Sequence, residues 1–198
     1  MSTEIIEEIT QKIEPLLSNP EKDKIIIAID GMTGAGKTTL AQELSEALKA
    51  QIFQADDFFL IPSLRTEERY NEPGGNIHYE RMKEEVIDKI EEGKINDVIK
   101  YKPFNCRIQD FGEEKSLKIN KINIVEGSYC LNPYFGKYYD ICIFMKINDK
   151  KQIERLTKRA PKMINNFINK WIPLEKKYHE AFKLYDKYFN YTIKYLEY

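Results

Sequence analysis

The residues best suited to chemistry form a short glycine-rich pattern, G-x-x-x-x-G-K-T. Together with the threonine that follows, these residues are Gly31, Met32, Thr33, Gly34, Ala35, Gly36, Lys37, Thr38 and Thr39. Glycines in such a turn let consecutive backbone N–H groups converge on an anion. The pattern predicts a phosphate-binding loop for ATP, in which Lys37 reaches the β- and γ-phosphates and the Thr38 hydroxyl ligates Mg²⁺.

The segments on either side of the loop fit this interpretation. Residues 25–29 are an apolar, β-branched run that predicts a buried parallel strand. After the loop, Leu40, Ala41, Leu44 and Leu48 recur at helical spacing. An ordinary glycine-rich turn between a strand and a helix is the alternative. The order strand, loop, helix favours the phosphate-binding site because the helix N-terminus adds unpaired amides and a positive dipole end.

Acidic residues follow the predicted strands. Asp30 precedes the loop, Asp56 and Asp57 follow residues 51–55, and Glu126 follows residues 122–125. Ligands bind beyond the carboxyl ends of parallel strands, so we expect these carboxylates to converge near the γ-phosphate. Asp56 or Asp57 could take a proton from an acceptor hydroxyl, and Glu126 could orient a water on Mg²⁺. For an arbitrary acidic pair, a helix cap or solvated turn is the alternative.

Strands that alternate with helices predict an α/β fold with three layers, a mainly parallel sheet and a helical lid. We expect one domain over residues 1–198, with an N-terminal helix within 1–20 and a lid over about 149–175. The predicted helices cover residues 3–18, 79–92, 149–159 and 163–188. The predicted strands cover residues 25–29, 51–55, 122–125, 141–147 and 191–196, with short strands and turns over 97–121.

The composition limits the partners. Lys and Arg number 31 against 32 Asp and Glu, giving a net charge of −1. This balance predicts no nucleic-acid or membrane partner. Three sparse cysteines predict reduced thiols, and the acidic N-terminus lacks a signal-peptide layout, so we expect a soluble cytoplasmic protein. His78 and His179 are isolated, which favours surface or partly buried hydrogen-bonding roles.

Several segments together resemble the uridine kinase and phosphoribulokinase group of P-loop kinases, most closely its smaller uridine-kinase-like members. The similarity spans about residues 25–188. After the glycine-rich loop, the segments that carry the similarity are Ala55-Asp56-Asp57-Phe58-Phe59, Gly74-Gly75-Asn76-Ile77, Tyr101-Lys102-Pro103-Phe104, Glu126-Gly127, Arg155-Leu156-Thr157-Lys158-Arg159 and, more weakly, Trp171-Ile172-Pro173-Leu174-Glu175.

The resemblance implies roles for individual residues. Asp56 matches the base that takes the proton from a ribose 5′-hydroxyl, and Arg155 and Arg159 match lid arginines that neutralise the transferring phosphoryl group. Candidate residues for binding the acceptor are Asp57, Phe59, His78, Tyr101 and Phe104. The chain departs from the group's pattern at Phe59 in place of Tyr, at His78 in place of an acid, and at Phe104-Asn105 in place of Tyr-Asp.

These observations predict transfer of a phosphoryl group from ATP·Mg²⁺ to the hydroxyl of a small molecule, most simply a nucleoside such as uridine or cytidine. Another acceptor (pantothenate, a nucleotide sugar or a nucleoside monophosphate) stays open, as does a regulatory ATP-binding module without catalysis. Phe58, Phe59, Tyr70 and Phe104 could stack on a base or fill the core. The sequence leaves the oligomeric state undetermined.

Overall fold

The computed structural model describes residues 3–187 of the chain. Its strands are β1 (Ile25–Gly31), β2 (Gln51–Gln54), β3 (Val98–Tyr101), β4 (Phe104–Asn105), β5 (Asp110–Phe111), β6 (Lys115–Lys118), β7 (Ile122–Glu126) and β8 (Ile141–Met145). The helices within the described residues are α1 (Thr3–Leu17), α2 (Lys37–Leu48), α3 (Glu67–Asn71), α4 (Tyr79–Met82), α5 (Asp88–Glu92), α6 (Asp149–Arg159), α7 (Ile164–Asn166), α8 (Ile172–Ala181) and α9 (Leu184–Lys187). A π-helical turn joins α4 to α5, and another joins α7 to α8.

Four strands form the main sheet in the order β2-β7-β1-β8, and every neighbouring pair is parallel. The central strand β1 is buried along its whole length. Its β-branched residues suit a strand that is covered on both faces.

Side chains of β1 alternate between two hydrophobic cores. Ile25, Ile27 and Ile29 pack in the core beneath α1 and α2. Ile26 and Ala28 face the opposite core, which α4, α5 and α8 help to cover. Successive strand residues point to opposite faces, so this one strand contributes to both cores. The three-layer α/β/α fold expected from the sequence is confirmed.

Residues 97–121 form two small antiparallel pairs, β3 with β6 and β4 with β5, as the prediction of short strands and turns required. Among the described residues, no helix combines the length and apolar character needed to span a membrane.

Several predicted bounds need correction, and three of them matter most here. The strand predicted over 51–55 ends at Gln54, because Ala55–Phe58 forms a 3₁₀ turn. The strand predicted over 141–147 ends at Met145, its last residue paired with β1. The helix predicted over 163–188 breaks between α8 and α9, where Lys183 has a left-handed φ of 51° that helical geometry does not allow. The strand predicted over 191–196 lies outside the described residues.

The surface or partly buried role expected for His179 is wrong, since this residue of α8 is fully buried. Its ring stands edge-on to Phe144, with centroids 4.8 Å apart, and its Nδ1 lies 3.2 Å from the Tyr185 hydroxyl. Burial, with a smaller effect of the Lys37 cation, lowers the pKa of His179 to about 3. The imidazole is therefore neutral in the folded protein at neutral pH.

We predict that His179 makes the protein less stable in acid. The unfolded imidazole takes up a proton below about pH 6.5, whereas the folded one stays neutral down to about pH 3, so stability falls as the pH falls through this window. Between pH 7 and pH 5 the loss is about 2 kcal/mol. Urea unfolding at both pH values should show His179→Phe losing less stability than the wild type by about this amount. The contribution of His78, the other histidine, is the same in both proteins and cancels in the comparison. Equal losses of stability in the wild type and in His179→Phe would contradict the prediction.

Candidate active site

A cleft of ≈ 460 Å³ opens where β1, β2 and β7 end. It is lined by Thr33, Gly34, Gly36, Lys37, Thr38, Thr39, Asp56, Glu126, Gly127, Ser128, Arg155, Leu156 and Arg159. The cleft therefore contains most of the glycine-rich loop, two of the acidic residues that follow strands, and both arginines of α6.

The glycine-rich loop takes its shape from close packing at its start. Gly31 has a φ of +136°, and a Cβ atom there would collide with the backbone carbonyl of Met145 on the neighbouring strand. Gly36 has a φ of 102° and directly precedes the first residue of α2. The first amides of a helix have no partner within it, so those of α2 are available to an anion in the cleft.

Lys37 is buried at the base of this loop. Its ammonium group donates to the Gly31 carbonyl at 2.7 Å, to the Met32 carbonyl at 3.2 Å and to the Ser128 hydroxyl at 3.2 Å. These contacts hold the cation beside the loop amides, where a phosphate would compete for it.

Thr38 and Glu126 meet at the other side of the cleft. The Thr38 hydroxyl lies 3.2 Å and 3.3 Å from the two carboxylate oxygens of Glu126 and donates to them. Burial, and then the nearby Asp56 carboxylate, raises the pKa of Glu126. A hydroxyl and a carboxylate are hard oxygen donors of the kind that Mg²⁺ takes alongside phosphate oxygens, so these residues fit the expected metal.

Asp56 faces the cleft from the 3₁₀ turn after β2. The turn lies against Gly127, where an added Cβ would stand 2.9 Å from the Cβ of Ala55 and 3.2 Å from a carboxylate oxygen of Asp56. The side chain is accessible from the cleft, yet the protein atoms around it displace water, and this desolvation raises the pKa of Asp56. The Lys37 cation works against that rise. Asp56 is thus a carboxyl group with an increased tendency to hold a proton.

Asp57, the next residue, points elsewhere. It is buried, accepts a hydrogen bond from the Tyr101 hydroxyl at 2.8 Å and pairs with the Lys115 ammonium at 2.7 Å. It does not line the cleft. Asp30 is also outside the cleft, because its carboxylate accepts from the backbone amides of Gly31, Tyr129 and Leu131. The expectation that every acid following a strand meets the γ-phosphate is therefore wrong for Asp30 and Asp57.

Helix α6 closes one side of the cleft. Gln152 donates to the Thr33 carbonyl at 2.9 Å, and Arg155 donates to the Gly34 carbonyl at 3.1 Å. Arg159, one turn further along the helix, lines the cleft and lies over the ring of Phe167, 5.7 Å from its centroid. The two arginines share one helix face, as their spacing of four indicates.

The other residues expected to bind an acceptor form a second group next to Asp57, outside the cleft. Phe59 meets Phe104 edge-on at 6.4 Å and pairs with Ile77 through a β-bridge. Tyr101 packs on Phe58 at 5.0 Å, and Phe58 is fully buried, so it fills the core. His78 caps α4 by accepting from the Arg81 amide, and burial lowers the pKa of its imidazole.

Sequence reasoning missed several residues of the site. Ser128 and Leu156 line the cleft, Gln152 bonds the loop, and Glu175 reaches it from α8. Ser128 directly follows the Glu126-Gly127 pair, which is the one signal that could have identified it. Gln152 and Glu175 lie more than 100 residues from the loop in sequence. No local pattern marks Gln152, and the weakly matching segment that ends in Glu175 gave no reason to expect contact with the loop.

Comparison with known proteins adds independent support. Uridine-cytidine kinase D of Dictyostelium discoideum is 30% identical to the chain over 132 residues. The match covers 66% of this chain and 25% of that protein, so the chain spans about a quarter of its relative's length. No family model matches the chain.

Two solved structures share the fold. One is named as a possible uridine kinase from Bacillus stearothermophilus, with a TM-score of 0.65, 16% identity, and coverage of 91% of this chain and 96% of that one. The other, provisionally named as a fructose transport system kinase from a Silicibacter species, has a TM-score of 0.60, 19% identity, and coverage of 91% and 88%.

The chain has the three-layer α/β/α P-loop fold of these structures. Its resemblance to the uridine-kinase-like P-loop kinases, first indicated by the motifs, is confirmed by the relative and by the structural neighbours. In this fold the candidate site occupies the carboxyl edge of the sheet, where parallel α/β folds bind their ligands.

Proposed function

We propose that the protein transfers a phosphoryl group from ATP·Mg²⁺ to the hydroxyl of a small molecule, with a nucleoside as the favoured acceptor. One observation carries the proposal: Lys37, Thr38, Glu126, Asp56 and the α6 arginines line one cleft. A kinase needs a cation on the phosphates, a metal position, a base and further positive charge at the transferring group. The cleft offers a residue of suitable chemistry for each need.

The residues divide the work by their position. The loop amides and Lys37 would hold the β- and γ-phosphates, while Thr38 and Glu126 would hold Mg²⁺, which would neutralise part of the negative charge of the phosphates. Asp56 would accept the proton of the acceptor hydroxyl; its raised pKa makes it a better base, provided it is ionised at the working pH. Arg155 and Arg159 would stabilise charge on the transferring group.

The acceptor is proposed from two lines of support. The relative and one structural neighbour carry the names of a uridine-cytidine kinase and a uridine kinase. Next to Asp57, the second group contains the aromatic rings of Phe59, Tyr101 and Phe104, of which Phe59 is partly exposed and could pack near a base. Phe59, His78 and Asn105 differ from the uridine kinase pattern. Hydrogen-bonding sites reject ligands that leave polar groups unpaired, so these changes bear on which nucleoside fits.

Residues 149–175 are proposed as the lid. We predict slower amide hydrogen exchange across this segment when a non-hydrolysable ATP analogue and the acceptor are both bound, because α6 already contacts the loop through Gln152 and Arg155. Mass spectrometry of peptides from free and bound protein measures this. Peptides of α1, on the far side of the sheet, serve as the control. Unchanged exchange across 149–175 would rule out the lid.

Asp56 and Asp57 provide a matched pair of variants. Asp56→Asn should lower kcat about 10²–10⁴-fold, as loss of a general base does, while leaving ATP affinity near that of the wild type. Asp57→Asn should lower the melting temperature, because it weakens the buried contacts with Lys115 and Tyr101. Its kcat should fall much less than that of Asp56→Asn. Steady-state kinetics and thermal unfolding separate the two effects. The reverse pattern would identify Asp57 as the base.

The substrate assignment is tested by offering purified protein ATP·Mg²⁺ with uridine, cytidine, purine nucleosides and pantothenate, and measuring phosphorylated product. We expect product with a pyrimidine nucleoside. Product with a different alcohol would retain the kinase assignment and remove the nucleoside. Slow ATP hydrolysis that no acceptor alters would instead support a regulatory ATP-binding module.

A further inference from the structure

A buried carboxylate lies directly behind the P-loop. Glu175 of α8 accepts from the Thr33 amide at 2.8 Å through one oxygen and from the Ser128 hydroxyl at 2.7 Å through the other. Ser128 in turn accepts from the Lys37 ammonium at 3.2 Å. Both carboxylate oxygens are therefore engaged, and the chain of bonds ends at the lysine of the loop.

Helix α8 contacts the loop at a second point. Tyr178 lies three residues after Glu175, on the same helix face, and donates to Asp30 at 2.8 Å. Asp30 accepts from the Gly31 amide at 2.6 Å, where the loop begins. One face of α8 thus contacts the glycine-rich loop twice. Tyr178 holds the start of the loop through Asp30, and Glu175 holds the middle of the loop at Thr33.

We propose that Glu175 is a positioning residue, which holds the P-loop in its phosphate-binding shape and, through Ser128, orients the Lys37 ammonium. Glu175 does not line the cleft, so it acts through other residues rather than on the phosphates. A buried carboxylate costs free energy unless its oxygens are hydrogen-bonded, and here both bonds are made to the phosphate-binding machinery. The effect on phosphoryl transfer rests on the proposed function, whereas the effect on loop conformation does not.

The test compares Glu175→Ala, Glu175→Gln and the control Glu180→Ala, which removes an exposed glutamate from the same helix. Calorimetry with a non-hydrolysable ATP analogue and Mg²⁺ measures affinity, and hydrogen exchange measures opening at Thr33. Glu175→Ala should weaken analogue binding about tenfold or more, the size expected for loss of a hydrogen bond to a charged group. Exchange at Thr33 should quicken, while β1 peptides stay unchanged.

Glu175→Gln should restore binding to within about threefold of the wild type, because its amide offers an acceptor to Thr33 and a donor to Ser128. Glu180→Ala should match the wild type in both measurements. A uniform rise in exchange across the sheet in Glu175→Ala, with no rescue by Gln, would show a merely structural role and overturn the proposal. Wild-type affinity and exchange in Glu175→Ala would overturn it as well.

Two further measurements keep the result decisive. If Glu175→Ala does not fold, Ser128→Ala is the second variant, because it keeps the Glu175 carboxylate and removes the hydroxyl that links it to Lys37. Unchanged analogue binding in Ser128→Ala would show that Glu175 does not act through Lys37. If the wild type binds no analogue, the proposed function fails. Exchange at Thr33 in the Glu175 variants needs no ligand, and it would still decide whether Glu175 holds the loop.

Discussion

The structure of the site depends on one ammonium group, that of Lys37, whose charge acts on four nearby carboxyl groups. Desolvation raises the pKa of Asp30, Asp56, Glu126 and Glu175, and in each case the Lys37 cation opposes that rise. A nearby cation favours the charged form of a carboxyl group and so offsets part of the cost of removing that group from water. The lysine of the glycine-rich loop therefore makes it easier to place four acidic residues around the cleft.

The position of Lys37 depends in turn on the central strand. Gly31 packs so closely on Met145 that the chain must turn at the end of β1, and α2 begins six residues later. Because β1 pairs in parallel with both β7 and β8, this turn lies beside Glu126 on one side and the end of β8 on the other. Strand pairing and a glycine without a Cβ atom thus place the helix N-terminus at the cleft.

What could be predicted from the sequence was local. The loop, β1 and α6 follow from spacing and periodicity within a short window, and α6 begins and ends at the predicted residues. Contacts made across the fold could not be predicted. Glu175 is hydrogen-bonded to Thr33, which is 142 residues away in the sequence, and Tyr178 is hydrogen-bonded to Asp30, which is 148 residues away. Histidine is often found near the surface, and His179 is buried because it packs against Phe144 of β8 and Tyr185 of α9.

Asp56 and Asp57 show most clearly where sequence reasoning stops. Both follow the same strand, and as residue types they are identical. The 3₁₀ turn at Ala55–Phe58 sends their side chains in different directions, one towards the P-loop and the other towards Tyr101 and Lys115. Their surroundings therefore differ: Asp56 is accessible from the cleft, whereas Asp57 forms an ion pair with Lys115 and a hydrogen bond with Tyr101, which anchor β6 and β3 to the turn. A charge pattern can suggest that one of two neighbouring carboxylates belongs to the site, but the turn that follows the strand determines which of them lines the cleft.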